Sequence, residues 1–441
     1  MQYTTYEQAV DYILQIPKFS TKNSLAHTKL LLQQLNSPQE QLQIIHIAGT
    51  NGKGSVCVAI DTILRAQGYH VGRFTSPHLI SMNERFVIDG QMVGNEAFFT
   101  AFTCVYQATE RMQQEGYPHP TFFEFLFCMG CVIFTQAAVD YAVIETGLGG
   151  RLDATNVVEK PLLTGITSIG WDHKEILGDR LATIAGEKAG IIKEGVPVFY
   201  QQTQEESDTV IEQRARELGS RYIQISNTQV ITQQHDSRGI TFAYHSLMLP
   251  DYNHQNVDWI LHNHGTYQVK NTMMAIEMCA FLCGSASRID RWQEALQQLT
   301  HPGRMEEVRP RFFLDGAHNV SAIESFITTY QAMQQAKDQA SQFSPIILFS
   351  AVQEKEYQDM IRILCQQIPS SLYVVTQIPG ERSVSIHTLQ QEFDACGQQA
   401  IGFEEVTDAI TFAMKEQGNR EVFCLGSLYL VGMIKEALLK L

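Results

Sequence analysis

The sequence predicts an α/β protein with two domains, each built on a mostly parallel sheet. Short apolar segments such as IIHIA and YAVIE alternate with amphipathic helical segments, which is typical of parallel strands covered by helices. The chain has 441 residues, more than a single hydrophobic core usually serves. The alternation restarts after HPGR, whose Pro and Gly suit a joint. We therefore expect domains at 1–300 and 301–441, linked at 301–304.

The N-terminal domain is predicted from its apolar periodicity and from the Gly and Pro residues that end its helices. Residues 1–40 are predicted to be helical, and TSPHLISMNERF is predicted to be a loop. The predicted strands are QIIHIA, HVGRF, YAVIE, PLLTGIT and VPVFY, and the predicted helices lie near 55–67, 95–115, 121–138 and 181–190.

The segment 222–269 differs in composition from the alternating pattern before it. It contains TQVITQQ, GITFAYH and TYQVK, which are rich in β-branched and aromatic residues, and it is predicted to add an antiparallel piece. Asn271 is then expected to open a long helix, followed by a small helix near 290–299.

The C-terminal domain is predicted to be a smaller, Rossmann-like α/β unit. Its predicted strands lie in RFFLDGAHN, PIILFS, SLYVVT and VFCLG. One helix is expected at 320–336, one between each later pair of strands, and a final one after the last strand.

Composition restricts the class of partner. The net charge of −15 argues against nucleic acid and against an anionic membrane surface. The longest apolar run, 122–139, contains polar residues and is predicted to be a buried helix rather than a membrane span. No secretory signal is visible, and nine scattered cysteines suit a reducing cytoplasm. A small phosphorylated ligand fits this chain better than a polymer.

A glycine-rich junction between the first predicted strand and helix predicts a phosphate-binding loop. The segment reads IIHIAGTNGKGS. Backbone N–H groups and the helix dipole bind anions at such a junction, and Lys53 supplies a cation. The spacing departs from the general P-loop pattern, since Gly49 lies three residues before Gly52 and Gly54 separates Lys53 from Ser55. A P-loop ATPase-like domain is the leading interpretation, and a merely connecting turn is the alternative.

Polar residues follow two further predicted strands. Glu145 ends YAVIE and runs into TGLGGRLDATN, where a carboxylate can hold Mg²⁺ beside a phosphate. Asp172 and His173 follow LLTGITSI. A neutral His173 beside Glu145 would complete a mixed oxygen and nitrogen metal site, whereas capping a helix is the competing role for Asp172.

Two basic residues have open roles at this point. Lys188 lies in a predicted helix, and sequence physics alone favours a surface lysine, because an ammonium facing Mg²⁺ would have to be neutral or covalently altered. Arg304, at the joint, suits either a phosphate held between the domains or a salt bridge with Glu306 or Glu307.

The segment FLDGAHN in the second domain has the pattern of a strand that ends in a polar loop. Asp315, His318 and Asn319 would therefore face the crevice above the sheet, where open α/β folds bind ligands.

Nine segments together resemble a known family of ligases. They read GTNGKGS, TSPHL, TFFE, ETGLGGRLDATN, SIGWDH, EKAGI, HPGR, LDGAHN and GSLYLVG, and they extend from about residue 20 to the C-terminus. Their order is similar to that in the folylpolyglutamate synthase and dihydrofolate synthase family, which is related to the Mur ligases. The resemblance implies an ATP-dependent amide ligase. The γ-phosphate would activate a substrate carboxylate as an acyl phosphate, and the amine of L-glutamate would then displace phosphate.

The resemblance also implies the substrates and cofactors. These are ATP, L-glutamate and reduced folates extended at the γ-carboxylate, with Mg²⁺ and a CO₂-derived carbamate on Lys188. Dihydropteroate as a second acceptor remains open, and Asp153 in LDATN is compatible with it. A P-loop kinase or hydrolase and a non-catalytic nucleotide-binding protein are more remote alternatives. A cytoplasmic monomer that uses only small-molecule substrates is expected.

Matched motifs carry expected roles to individual residues. ATP would be bound by Asn51, Gly52, Lys53, Gly54, Ser55, Asn271, Arg304 and Asp315. Mg²⁺ would be held by Ser55, Ser76, Glu145 and His173. The folate or pteroate would lie near Thr121, Phe122, Phe123, Glu124, Leu152, Asp153 and Ala154. Glutamate would be positioned by His318 and Ser427, and the catalytic candidates are Lys53, His173, Lys188 and His318.

Two positions depart from the family's pattern. Val320 follows LDGAHN where Pro is common, and this changes the stiffness of the loop. Trp171 stands where a smaller apolar residue is usual, beside the expected metal site.

Overall fold

Two large sheets, each covered by helices, organise the chain. The computed structural model describes residues 3–17, 24–252, 258–337, 343–369, 371–380 and 382–439. An eight-stranded sheet occupies the N-terminal part and a six-stranded sheet the C-terminal part, with a small three-stranded sheet between them in sequence. The predicted α/β class, with its mostly parallel first sheet and smaller second sheet, is confirmed.

The strands are numbered in chain order. They are β1 (Ile44–Ala48), β2 (Val71–Phe74), β3 (Phe86–Ile88), β4 (Gln91–Met92), β5 (Tyr141–Glu145), β6 (Leu163–Ile166), β7 (Val198–Gln201), β8 (Tyr222–Ile225), β9 (Val230–Asp236), β10 (Gly239–Tyr244), β11 (Trp259–Leu261), β12 (Glu306–Arg309), β13 (Phe312–Leu314), β14 (Ile346–Phe349), β15 (Leu372–Thr376), β16 (Ala400–Phe403) and β17 (Val422–Leu425).

The helices are numbered in the same way. They are α1 (Tyr6–Gln15), α2 (Leu25–Gln34), α3 (Lys53–Gln67), α4 (Asn95–Gln114), α5 (Phe122–Gln136), α6 (Lys174–Leu177), α7 (Leu181–Ala189), α8 (Glu205–Glu217), α9 (Tyr267–Cys283), α10 (Ile289–Gln297), α11 (Val320–Gln335), α12 (Tyr357–Gln367), α13 (Ile386–Ala395), α14 (Val406–Gln417) and α15 (Leu428–Leu438).

The order of the first sheet brings three polar loops together. The strands run β4-β3-β2-β5-β1-β6-β7-β8, and those from β2 to β8 are parallel, with β3 and β4 as an antiparallel edge. All five residues of β1 are buried, as expected of a central strand covered on both faces. Because β5, β1 and β6 are neighbours, the loops that leave their carboxyl ends converge at one edge.

Helix α5 covers one face of this sheet. Its residues from Phe125 to Phe134 are all buried, so the expectation of a buried helix is confirmed. Thr121 and Glu124 form a capping box that starts the helix, in which each side chain accepts the other residue's backbone N–H.

None of the described helices is both long enough and apolar enough to span a bilayer.

The small antiparallel sheet was predicted with one wrong strand. Its order is β11-β10-β9, so TQVITQQ and GITFAYH are strands as expected. The third strand is Trp259–Leu261, whereas TYQVK begins helix α9 at Tyr267, four residues before the predicted start at Asn271. The buried positions of α9 against α3 include Gln268 and Val269, so helix packing overrides the β-branched composition of this short segment.

The second sheet has two edge strands that the sequence pattern did not predict. The order is β12-β13-β17-β14-β15-β16, with only β12 antiparallel. A helix, β16 and another helix lie between β15 and β17, where one helix was expected. Residues of β12 and β16 are exposed or half-buried, so neither strand forms the buried apolar run that marks the central strands.

Candidate active site

The loop between β1 and α3 depends on two glycines. Gly49 has φ +149°, and a Cβ there would lie 1.8 Å from Thr167 Oγ1. Gly52 has φ +88°, and a Cβ there would lie 2.6 Å from Asn271 Oδ1. Side chains rarely adopt such backbone conformations, and here they would also collide with these neighbours. The first turn of α3 therefore starts at the carboxyl edge of the sheet, in the geometry that binds phosphate.

Two lysines donate hydrogen bonds to this loop. Lys53 Nζ lies 3.2 Å from the carbonyl oxygens of both Gly49 and Thr50. Lys188 Nζ donates to the same Gly49 oxygen at 2.7 Å, and its residue is only 3% exposed. Burial, with Lys53 nearby, lowers the pKa of Lys188 to about 7. The expectation of a surface lysine is therefore wrong, because helix α7 turns this face towards the loop.

Glu145 supplies a buried carboxylate at the end of β5. It is 3% exposed, and it accepts the backbone N–H of Ser76 at 3.0 Å. Burial raises its pKa, while Lys53, the Ser76 N–H, Arg304 and Arg85 act in the opposite direction. A single carboxylate thus faces cationic groups that come from three separate parts of the chain.

The expected metal ligands have oxygen-rich chemistry. Ser55 is buried at the start of α3, where its Oγ accepts from Gln268 Nε2 at 3.2 Å. Burial lowers the pKa of His173 to about 4, so its imidazole is neutral and able to bind a metal. Across the described residues, no group of three or more His, Cys, Asp or Glu is arranged as a metal site. Hydroxyl and carboxylate oxygens nevertheless suit Mg²⁺, which keeps several of its waters and needs few protein ligands.

The two sheets meet at the phosphate loop. Asn51 Nδ2 donates to Asn319 Oδ1 at 3.2 Å and to Ser321 Oγ at 2.8 Å. Asn319 Nδ2 in turn donates to Asn51 Oδ1 at 3.1 Å and to Asp172 Oδ2 at 3.2 Å. The loop that follows β1 is therefore hydrogen-bonded directly to the loop that follows β13.

Asp172 extends this junction by an ion pair. Its Oδ1 accepts from Lys355 Nζ at 2.5 Å, and both side chains are 12% exposed. Burial would raise the pKa of Asp172, but Lys355, His318 and His173 lower it well below its usual range. His173, with φ +51°, precedes α6, so Asp172 joins the two parts of the chain instead of capping that helix.

Backbone N–H groups and one side chain from α9 hold the polar groups of the second sheet. Asp315 accepts the Tyr267 hydroxyl at 2.5 Å and the N–H groups of Met305 at 3.0 Å and Ala317 at 2.8 Å. Ser427 caps α15 by accepting the Tyr429 N–H at 3.1 Å. These contacts orient the loops that carry the expected nucleotide and glutamate residues.

Arg304 and His318 lie beside Asp315. Arg304 Nη1 donates to the Gly303 oxygen at 3.1 Å. Glu306 pairs with Lys435 at 2.7 Å and Glu307 accepts the Arg311 N–H at 2.7 Å, so the alternative salt bridge of Arg304 with Glu306 or Glu307 is not formed. His318 Nδ1 lies 2.6 Å from the Gly316 oxygen, and burial, followed by Lys355, lowers its pKa to about 4.

The residues expected to bind the folate form two neighbouring groups. Phe123 lies against Gly147, where an added Cβ would be 2.7 Å from its ring. Asp153 accepts the N–H groups of Gly147 at 3.0 Å and Leu148 at 2.9 Å, so it shapes this loop. Leu152, at 46% exposed, presents apolar surface to solvent. The two groups, Thr121, Phe122, Phe123 and Glu124 at the start of α5 and Leu152, Asp153 and Ala154 after β5, are joined by the Phe123–Gly147 contact.

Sequence reasoning missed two site residues. Lys355 lies in the charged segment QEKEY, which is typical of a solvated surface, and Arg85 lies within TSPHLISMNERF, the segment predicted to be a loop. Neither residue stands at a glycine-rich strand end, the signal that identified the others. The opposite charge of Asp172 was visible in the sequence, but its distance of 183 positions from Lys355 concealed the pairing.

Comparisons with known proteins agree with this geometry. The chain is 33% identical over 450 residues to a Bacillus subtilis (strain 168) protein named dihydrofolate synthase/folylpolyglutamate synthase, covering 99% of this chain and 100% of that protein. It is similar in structure to Mycobacterium tuberculosis folylpolyglutamate synthase complexed with ADP and AMPPCP, with a TM-score of 0.85, 26% identity and coverage of 98% and 97%. An FPGS–AMPPCP–folate complex matches with a TM-score of 0.82, 29% identity and coverage of 99% and 100%. No family model matches the chain.

Proposed function

The chain belongs to the folylpolyglutamate synthase and dihydrofolate synthase family, and from this we propose how its own residues share the reaction. It is a folylpolyglutamate synthase, an ATP-dependent ligase. L-Glutamate is joined to the γ-carboxylate of a reduced folate by way of an acyl phosphate. The observation that carries this function is the contact between Asn51 in the phosphate loop and Asn319 after β13, because a ligase must bring its nucleotide against the part that holds the amine.

The first step is phosphoryl transfer to the folate. A carboxylate oxygen attacks the γ-phosphorus, the bond to the β-phosphate oxygen breaks, and ADP leaves with that electron pair. The N–H groups at the start of α3 and the ammonium of Lys53 bind the phosphate charge. Lys53 now donates to Gly49 and Thr50, both within its own loop, so a short rotation of its side chain suffices.

The second step forms the amide. The glutamate nitrogen attacks the acyl carbon, one of its protons is lost, and inorganic phosphate leaves. His318 suits the role of proton acceptor. Its Nδ1 must carry hydrogen, because it faces the Gly316 carbonyl, and its Nε2 is then the basic nitrogen. The lowered pKa of His318, about 4, keeps the ring neutral at neutral pH.

Mg²⁺ fits this site through Ser55, Ser76, Glu145 and His173. The support is a buried carboxylate with one backbone N–H partner within the described residues, together with a neutral imidazole. When bound, the ion neutralises charge on the phosphates during transfer. These four residues are proposed ligands: Ser55, Ser76 and Glu145 offer the oxygen that Mg²⁺ prefers, and His173 adds an imidazole nitrogen.

Lys188 is proposed to be carbamylated. Its neutral amine would add to CO₂, forming a nitrogen–carbon bond and releasing one proton, which turns the neutral amine into an anion. Burial and a pKa lowered to about 7 support this, because the neutral amine is the reactive form. An anion here would also remove the repulsion between Lys188 and Lys53.

The remaining site roles and the wider organisation are part of the same proposal. Asn271, Arg304 and Asp315 contact ATP, and Ser427 helps to position glutamate. The folate lies along the residues at the start of α5 and after β5. The domain boundary lies at 301–304, and the protein is a cytoplasmic monomer. The nine free thiols support a reducing compartment.

One assay tests the function directly. Purified protein is given Mg·ATP with tetrahydrofolate alone, with L-glutamate alone, and with both. ADP release that requires both substrates, and a folate lengthened by one glutamate in the mass spectrum, are the expected results. ADP release that is indifferent to glutamate would contradict the ligase.

Dihydropteroate is the second candidate acceptor, because the Bacillus subtilis relative is named for both activities. The same assay with dihydropteroate in place of tetrahydrofolate measures this activity. Glutamate-dependent ADP release with both acceptors indicates a bifunctional enzyme, and release with tetrahydrofolate alone indicates a monofunctional one.

A further inference from the structure

Arg85 is a buried cation that the roles assigned above do not use. It ends the short 3₁₀ turn Met82–Arg85 directly before β3 and is 6% exposed. Its Nε donates to His78 Nδ1 at 2.8 Å, and its guanidinium lies 5.4 Å from the ring centre of Phe122. These two contacts fix the plane of the guanidinium over a residue expected to bind the folate.

No carboxylate of the described chain forms an ion pair with Arg85. The adjacent Glu84 is occupied, because it accepts the backbone N–H groups of Leu79, Ile80 and Ser81 at 2.7, 2.8 and 2.7 Å. Burial lowers the pKa of Arg85 to about 10, while Glu145 acts in the opposite direction. Burying a cation without a counter-ion is energetically unfavourable, and a bound anion would stabilise it.

The position of Arg85 identifies which anion this is. Glu145 and Lys53 are proposed above to lie at the phosphates. The Ser76 N–H donates to Glu145, and the preceding Thr75 N–H donates to the Arg85 carbonyl oxygen at 3.2 Å. The guanidinium of Arg85 lies over Phe122, and the next residue, Phe123, lies against Gly147, two residues after Glu145. Arg85 therefore lies beside both the strand end that carries the proposed metal ligand and the proposed folate residues, which is where the reacting carboxylate is expected.

We propose that Arg85 holds the carboxylate oxygen of the folate that does not attack ATP. This inference rests on the proposed ligase function. One oxygen forms the new bond to phosphorus, and the other becomes the carbonyl oxygen of the acyl phosphate. When the glutamate nitrogen attacks the acyl carbon, that oxygen takes up the electron pair and becomes negative. Collapse then returns the pair to the carbonyl and expels phosphate, so the guanidinium stabilises a charge that develops only during the reaction.

The proposed role of Arg85 predicts different results from two other roles, structural packing and binding of the α-carboxylate. A cation held over Phe122 only for packing would affect unfolding but not turnover. A cation that binds the other carboxylate of the folate's glutamate, the α-carboxylate, would affect the KM for folate more than kcat, because that group does not change charge in the reaction.

The test uses Arg85→Ala and Arg85→Lys in the full chain, with Arg111→Ala as the matched control. Arg111 lies on α4, and its exposed guanidinium donates to the Gln34 oxygen at 3.3 Å. For Arg85→Ala we expect kcat to fall about 100-fold, the usual effect of losing one oxyanion donor, with the KM for ATP unchanged. Arg85→Lys recovers part of the loss, and millimolar guanidinium ion restores turnover in Arg85→Ala alone.

A substrate analogue completes the test. Tetrahydrofolate with its α-carboxylate converted to an amide is compared with tetrahydrofolate in the wild type and in Arg85→Ala. If the loss of activity caused by the amide and the loss caused by Arg85→Ala multiply when the two changes are combined, Arg85 acts on a different carboxylate, the reacting one. If the combined loss of activity is no larger than either single loss, Arg85 binds the α-carboxylate and the proposal is overturned.

Two further outcomes are distinguishable. A lower unfolding temperature with unchanged kcat in Arg85→Ala shows a structural brace and also overturns the proposal. Failure of the wild type itself to release ADP in a glutamate-dependent way contradicts the ligase function, and the inference falls with it. Wild-type activity together with an equally active Arg85→Ala removes the inference alone.

Discussion

The carboxyl edges of the two sheets carry similar polar residues but hold them differently. At the first edge, Glu145 accepts one backbone N–H, and Lys188 lies buried against a carbonyl with a lowered pKa. At the second edge, Asp315 accepts a hydroxyl and two backbone N–H groups. Burial raises the pKa of both carboxyls, but Asp315 has three hydrogen-bond donors within the described chain and Glu145 has one. The carboxylate of the first edge therefore keeps the capacity to take up further ligands, whereas Asp315 at the second edge is held in place by its own contacts.

Removing Lys53, the cation of the phosphate loop, is expected to lower activity more than any other change at the first edge. For Lys53→Ala we expect kcat to fall about 1,000-fold, because its ammonium stabilises phosphate charge in a water-poor site. Steady-state ADP release with both substrates measures this loss. Lys174→Ala is the control, since that lysine pairs with Glu356 at a partly exposed position. Retention of full activity in Lys53→Ala would remove the phosphate loop from the reaction.

Neutralising Glu145 separates reactivity from stability. Glu145→Gln should lower kcat about 100-fold and raise the Mg²⁺ concentration needed for half-maximal activity, since a carboxylate ligand is lost. The unfolding temperature should not fall, because burial already raises the pKa of this carboxyl and disfavours its charge. A variant that melts earlier but keeps its Mg²⁺ dependence would show that Glu145 is structural.

Lys188 predicts a pH dependence with a definite sign. Its pKa is lowered to about 7, so activity that needs its neutral amine should rise about tenfold from pH 6 to pH 8 at constant dissolved CO₂. The unfolded chain binds one more proton between pH 7 and about 10.4, so stability should also rise with pH in that window. Lys188→Met should flatten both profiles, whereas an unchanged stability profile would place Lys188 outside the buried site.

The second edge should respond in stability before turnover. Asp315→Asn replaces a carboxylate that accepts from Met305, Ala317 and Tyr267, and we expect the free energy of unfolding to fall by about 1–3 kcal/mol. The KM for ATP should rise modestly, because Arg304 loses a nearby carboxylate. Urea unfolding beside Glu145→Gln makes the comparison direct. Equal stability of the two variants would remove the distinction between the edges.

Local signals made much of this architecture predictable. The alternating apolar segments predicted the central strands, because parallel strands covered on both faces must be apolar along their whole length. The phosphate loop was predictable because Gly49 and Gly52 are required by backbone geometry at those positions. The edge strands β12 and β16 were not predicted, because their partial exposure leaves no continuous apolar run.

Other parts of the site were beyond local patterns. The segment TYQVK became helix because α9 packs against α3, a contact that overrides weak β preference. Lysine is usually a surface residue, and only the position of α7 beside the loop shows that Lys188 is buried. The ion pair of Asp172 and Lys355 depends on how the second sheet meets the first.

The sequence by itself therefore determined the strand and helix alternation, the phosphate loop and, through ordered motifs, the class of ligase. These depend on side-chain periodicity and on backbone conformations that act within a few residues. The tertiary structure decided the buried state of Lys188, the junction between Asn51 and Asn319, and the burial of the Arg85 guanidinium over Phe122. Such features arise from burial and from the electrostatic sum of distant groups, and both depend on strand order rather than on spacing along the chain.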